Sequence, residues 1–379
     1  MTVSPRISGR IPLAQPNISD REIELVTQVL RSDVLSMGPF TERFEEGLAA
    51  LAGRRFAVAC SNGTVALHLA VRGLGIGAGD EVITTPFSFI SSANCMLFER
   101  AVPRFIDIEE ETLGMDPDRI EAAASERTKA LLPVHVYGNP CRIDAIEAIA
   151  RANGWSLIED SCEALGGKLN GRALGSFGDA SAFAFYPNKQ ITTGEGGAVL
   201  TDDADLAERM RSMRNHGRDA DGTWMRHIQL GFNYRIDELS AALGVAQLER
   251  LAELRAGRER TVAAYASAFA GRDWVRLPQP APGADVDWFV YVIRLDAAID
   301  RNRLIGQLDQ RGVPSRPYFS PIHLQPIYAE LGYREGDFPI TERVARSTLA
   351  LPFSSRMDDD AVAQVVSALD EAVAEQGRG

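Results

Sequence analysis

Apolar residues recur at helical spacing in "REIELVTQVLRS" (21–32) and "ERFEEGLAALAG" (42–53), and each stretch predicts an amphipathic helix. The pattern then changes. "RFAVAC", "EVITTP", "VPRFIDI", "KALLPVHVYG", "WSLIED", "ASAFAF" and "GAVLTDD" are short apolar runs that predict strands. Most are continuous rather than alternating in polarity, as in a sheet buried on both faces. Helical patterns between them, such as "SNGTVALHLAVRGLG" and "RIDAIEAIARANG", supply the cover, so the predicted class is α/β. A long helical stretch at 237–270 precedes the Pro- and Gly-bearing "RLPQPAPGADVDW" and shorter elements such as "FVYVIRL". This shift places a domain change near position 250, giving a large domain over 1–250 and a small one over 251–379.

Composition narrows the classes of function. With 379 residues, 45% hydrophobic and 24% charged, the chain is long enough for two globular domains. A formal charge of −12 argues against nucleic acid or an anionic membrane as the main partner. Cys60, Cys95, Cys141 and Cys162 form no Cys-x-x-Cys pair, which suits reduced thiols better than a disulfide framework or a zinc site. The 5 histidines are dispersed, with no ligand pair at helical spacing, so no metal is expected. The opening "MTVSPRISGRIPLAQP" has no apolar core of signal-peptide length, and no stretch approaches the ~20 apolar residues of a membrane span. The expected location is the cytoplasm.

Candidate chemistry centres on "AFAFYPNKQITTGEGG" (182–197), where Lys189 stands between an apolar run and a glycine-rich turn. The amine is either a solvated loop charge or a nucleophile held over a pocket. In "CSNGTVALHLA" a strand ends and a helix begins, so Gly63 and Thr64 form either an anion cradle or an ordinary first turn capped by Ser61 or Asn62. Asp160 falls at the end of the "WSLIED" strand, as a helix cap or as the partner of a protonated ring nitrogen. Phe87 and Phe89 follow another strand end and alternate in direction, so one faces a pocket if the other packs inside. One cofactor uses an amine, an anion cradle, a carboxylate and a flat apolar neighbour together: pyridoxal 5′-phosphate.

The same residues resemble the DegT/StrS family of sugar aminotransferases, fold-type I pyridoxal phosphate enzymes. The resemblance extends over nearly the whole chain, through "TTPFSFISSAN", "IEDSCEALGG", "FYPNKQITTGEGGAVLTDD", "MRNHGR", "LGFNYRIDELSAALGVAQLERL" and "RPYFSPIHLQPIY". It implies a large domain with a mostly parallel sheet flanked by helices, and a smaller C-terminal α+β domain. Carried over by position, Lys189 matches the Schiff-base lysine, Asp160 the partner of the pyridine nitrogen and Phe89 the stacking aromatic. Gly63 and Thr64 match the phosphate cradle. Asn233 matches a residue that reaches the phosphate of the neighbouring subunit, which implies a homodimer with shared active sites. Glu163 stands where many members have Gln, near the cofactor's phenolic oxygen. Ala184 stands where many have a phosphate-binding serine, and Asn188 or an ordered water is the expected replacement. His323 matches a segment near the acceptor sugar, against the alternative of a surface histidine in a Pro-bounded loop; His216 is given a local structural role. The implied reaction moves an amino group from L-glutamate to a 4-keto or 3-keto nucleotide-linked hexose. Alternatives are a cyclitol acceptor with the same residues, or a non-catalytic pyridoxal-phosphate-binding regulator.

Overall fold

The computed structural model describes residues 11–219 and 225–377, so the first ten residues of the opening segment lie outside the described residues. Its central sheet has seven strands: β1 (Phe56–Cys60), β2 (Glu81–Thr84), β3 (Val102–Phe105), β4 (Thr128–Leu132), β5 (Ser156–Asp160), β6 (Ala180–Ala184) and β7 (Gly197–Thr201). They lie in the order β1-β7-β6-β5-β4-β2-β3, and every pair is parallel except those made by β7. The α/β class expected from the apolar runs, and the mostly parallel sheet that the family resemblance implied, are therefore observed.

Successive side chains of these strands enter different cores, which explains why polarity does not alternate. Val58, Cys60, Ala182 and Val199 pack on one face with Ala66, Leu67 and Ala70 of the helix α3 (Gly63–Gly73). Ala57, Ala59, Phe183, Ala198 and Leu200 pack on the other. There they meet Leu25 and Val29 of α1 (Asp20–Leu30), and Phe44 and Leu48 of α2 (Pro39–Ala52). The helix α4 (Ser91–Leu97) follows β2, and α5 (Ile143–Asn153) covers Leu131 and Leu157 with Ile143 and Ile146.

The long helical stretch expected over 237–270 is two helices, α6 (Glu238–Glu249) and α7 (Leu251–Ala268). Arg250 interrupts them with φ −107° and ψ 8°, while its guanidinium binds Glu22 of α1 at 2.6 Å. Beyond α7 a second sheet forms from β8 (Val275–Arg276), β9 (Tyr291–Leu295) and β10 (Thr348–Leu351). It shares a core with α8 (Arg301–Gln310) and α9 (Asp359–Gln376) through Leu304, Leu308, Val365 and Leu369. The start of the described chain is tied to this unit: Ile11 N–H donates to Gly312, and Leu13 accepts from Phe353 N–H. Among the described residues no helix is long and apolar enough to cross a membrane.

Candidate active site

Because antiparallel β7 lies between β1 and β6, these two strands run the same way, and so do β2, β4 and β5. Their C-terminal ends share one edge, where open α/β sheets bind ligands. Asp160 closes β5 there, only 3% exposed. Its Oδ2 accepts from the Ser92 hydroxyl at 2.7 Å and its Oδ1 from the Cys162 N–H at 3.2 Å.

After β6 the chain turns so that Lys189 N–H donates to Tyr186, and the lysine side chain enters a largely buried site. Nζ lies 3.7 Å from Glu163 Oε1 and 4.3 Å from the centre of the Phe289 ring. The other oxygen of Glu163 accepts from the Tyr137 N–H at 2.8 Å. Tyr137 has φ +62°, and the next residue must be glycine: a Cβ on Gly138 would come within 2.7 Å of the Glu163 carbonyl oxygen. Burial pushes the Glu163 carboxyl up to about 7, with Lys189 opposing the rise. A folded form that holds this proton above the unfolded value binds more protons than the unfolded chain from about pH 4.5 to about pH 7. Stability is therefore expected to fall as pH rises through that window, by up to about 1.4 kcal/mol per pH unit. Glu163→Gln should flatten this part of the profile, as measured by denaturant unfolding at each pH.

The loop carrying Lys189 is fixed from behind by α7. Arg258 donates to the Gln190 carbonyl at 2.8 Å and pairs with both oxygens of Asp287 at 2.9 Å. The Gln190 amide in turn donates to the carbonyls of Glu163 and Asp287. Arg258 and Asp287 are both buried, so removing one strands the other's charge. Arg258→Met should cost about 3–5 kcal/mol of stability by chemical denaturation.

At the end of β1, Asn62 caps α3 by accepting from the Val65 N–H at 3.0 Å. The N–H groups of Gly63 and Thr64 stand in the first turn, where no preceding helical carbonyl can take them. Thr64 Oγ1 lies 2.7 Å from Ser91 Oγ. Gly63 has a packing reason as well as a chemical one: a Cβ there would fall 2.6 Å from the Cβ of Ala184 and 3.2 Å from Cys162 Sγ. Position 184 thus lies directly against the cradle. Of the two phenylalanines after β2, Phe87 is 0% exposed and packs edge-on to Tyr137 and Phe319, whereas Phe89 is 59% exposed.

Three candidates are not gathered in this group. Asn233 is exposed, although its neighbour Tyr234 accepts from the Ser61 N–H at the rim of the cradle. His323 is not the surface histidine its Pro-bounded loop suggested: it is buried, and its Nε2 lies 3.1 Å from Glu342 Oε1. Ile322, beside it, docks on the large sheet unit through an N–H donated to Pro86, which explains the burial. Burial holds the His323 imidazole below its usual range. His216 is exposed with φ +60°, and its carbonyl meets His227.

A family model for DegT/DnrJ/EryC1/StrS aminotransferases matches residues 16–370. The chain belongs to this aminotransferase family. It is 39% identical over 368 residues to GDP-perosamine synthase of Caulobacter vibrioides, covering 96% of this chain and 98% of that protein. The structure of DesV from S. venezuelae matches with a TM-score of 0.90 at 35% identity, covering 96% of this chain and 98% of DesV. DesI, solved in the presence of its TDP-sugar product, matches with a TM-score of 0.90 at 32% identity, covering 98% of this chain and 97% of DesI.

Members of the family depend on pyridoxal phosphate, and the residues present fit it. The site offers an amine, a carboxylate held by two donors, first-turn N–H groups and an open aromatic. Asn188 Oδ1 is buried without a partner among the described residues, and because an amide oxygen accepts, a phosphate contact from Asn188 would come from its NH2. What touches the Asn188 amide is the phenol of Tyr318, from the C-terminal unit. Sequence reasoning about single residues missed Ser92, Tyr137, Phe289 and Tyr318. Tyr137 alone carried a signal, lying next to a glycine that closes a predicted strand run.

Proposed function

We propose that this enzyme transfers an amino group from L-glutamate to a nucleotide-linked 4-keto or 3-keto hexose, with pyridoxal phosphate as its cofactor, in two ping-pong halves. The observation that carries the reading is the convergence of Lys189, Asp160 and the first turn of α3 on one sheet edge in a chain of this family. GDP-perosamine synthase and the TDP-sugar product of DesI, each named for its own protein, support a nucleotide sugar as acceptor.

When bound, the cofactor supplies an electrophilic carbon for amines and a ring that takes up an electron pair. Lys189 would hold that carbon through its amine, and the same nitrogen, when free, would take the proton from the donor's α-carbon. Asp160 holds a proton on the ring nitrogen. Gly63 and Thr64 bind the phosphate, and Phe89 covers the ring. Asn188 is a candidate for the contact that a serine at Ala184 would make. Asn233, exposed in the single chain, reaches the site of a second subunit in a homodimer. Ile23, Leu30, Leu35 and Met37, exposed here, give such a dimer an apolar surface to cover. His323 belongs to the segment that the resemblance puts near the acceptor sugar, and its buried contact with Glu342 would hold that segment in place.

Purified protein with added pyridoxal phosphate is expected to show a visible absorption band that L-glutamate converts to the pyridoxamine phosphate spectrum. A keto-sugar nucleotide should then restore it. A band that glutamate leaves unchanged would remove the donor, and no band at all would remove the cofactor.

A further inference from the structure

Two carboxyl groups and one amine share the buried site. Asp160 approaches from the end of β5, Glu163 from the turn after it, and Lys189 from the loop after β6. The other titratable groups facing Glu163 are Cys162 beside it, Tyr137 from the loop after β4 and Tyr318 from the C-terminal unit. Burial pushes that thiol and both phenols up, so none of them carries charge near neutrality. Lys189 is thus the cation beside Glu163.

The two carboxyls are unequally held. Asp160 accepts two hydrogen bonds, one on each oxygen. Glu163 accepts one, from the Tyr137 N–H, entirely on Oε2. Its Oε1 is turned to Lys189 Nζ at 3.7 Å. Above about pH 7, where Glu163 is ionised beside the charged amine, loss of that charge leaves two neighbouring carboxylates in a water-poor site, and one of them must take a proton. The less supported one is Glu163, and its Oε1 points at the amine that gives the proton up.

We infer that Glu163 is the proton partner of Lys189: when Nζ becomes neutral, the proton it held moves to Glu163 Oε1 and stays in the site. The N–H bond breaks with its electron pair left on nitrogen as the lone pair that makes it a nucleophile or base, and an O–H bond forms. The charge of the site does not change, so the step needs no outside acid or base. This deepens the aminotransferase reading by giving Glu163 a task in it. It also gives a chemical reason for a carboxyl where many relatives have an amide, since glutamine can hold no such proton.

The test uses the purified chain without cofactor or substrate, so its failure and that of the aminotransferase reading are separable. Infrared spectra report protonated buried carboxyls directly. Lys189→Met removes the cation and is expected to show at pH 7 a buried protonated carboxyl that disappears in Lys189→Met/Glu163→Gln. Its titration midpoint should lie at least about one pH unit above that of the parent chain, a tenfold gain in proton affinity. Lys189→Gln should behave the same way and serves if the methionine variant does not fold. A signal that survives Glu163→Gln would place the proton elsewhere, on Asp160 for example, and overturn the proposal. So would a midpoint unchanged from the parent.

Discussion

Lys189→Ala is expected to abolish transamination, with turnover at least about 10,000-fold below the parent, the upper end of what one positioned proton-transfer group contributes. The loss combines two roles, the covalent anchor and the base at the donor's α-carbon, in one nitrogen. Lys189→Arg separates this reading from a loop charge. A guanidinium keeps the positive charge beside Glu163 and Phe289 but does not give up its proton in a protein, so it can serve neither role. Both variants should be inactive. The assay is release of 2-oxoglutarate from L-glutamate in the presence of the keto-sugar nucleotide, with protein free of host aminotransferases. Retained activity in the arginine variant would return Lys189 to a plain loop charge.

Asp160→Asn should fold normally yet lower the rate of the glutamate half-reaction about 10- to 1,000-fold. The fold should survive because an amide fits the same two contacts. Its oxygen can accept from the Cys162 N–H, and its NH2 can donate to Ser92, whose hydroxyl rotates toward Ser88. What the amide lacks is the charge. An opposite charge within about 4–6 Å would be worth about one to three pKa units to a protonated ring nitrogen, which sets the expected factor. The measurement is the single-turnover absorbance change with L-glutamate at saturating cofactor, alongside thermal melting. An unchanged rate would make Asp160 the helix cap that its position also allowed.

The class of the fold and the stations of the site were legible before any coordinate. Continuous apolar runs specify strands buried on both faces, and β1, β6 and β7 send neighbouring residues into two different cores. Gly63, Phe89 and Lys189 each follow a predicted strand end and Asp160 closes one, a local fact that periodicity encodes. Local pattern carried less where tertiary partners intervene. The helix expected over 237–270 is split at Arg250, whose partner Glu22 lies far away in sequence. His323 reads as a loop residue because nothing nearby announces Glu342 or the docking of Ile322 on Pro86.

The sequence by itself determined which residues end strands, which faces are apolar and which chemical groups stand at each turn, because these depend on spacing along one chain. Only the tertiary structure decided that the ends of β1, β2, β4, β5 and β6 meet, since that follows from strand order and from the reversal through β7. It also decided that Phe87 is core while Phe89 is open, and that one oxygen of Glu163 is pinned while the other faces the lysine. Burial and distance to a charge belong to pairs of residues remote in sequence, and these quantities set the protonation on which the site's chemistry depends.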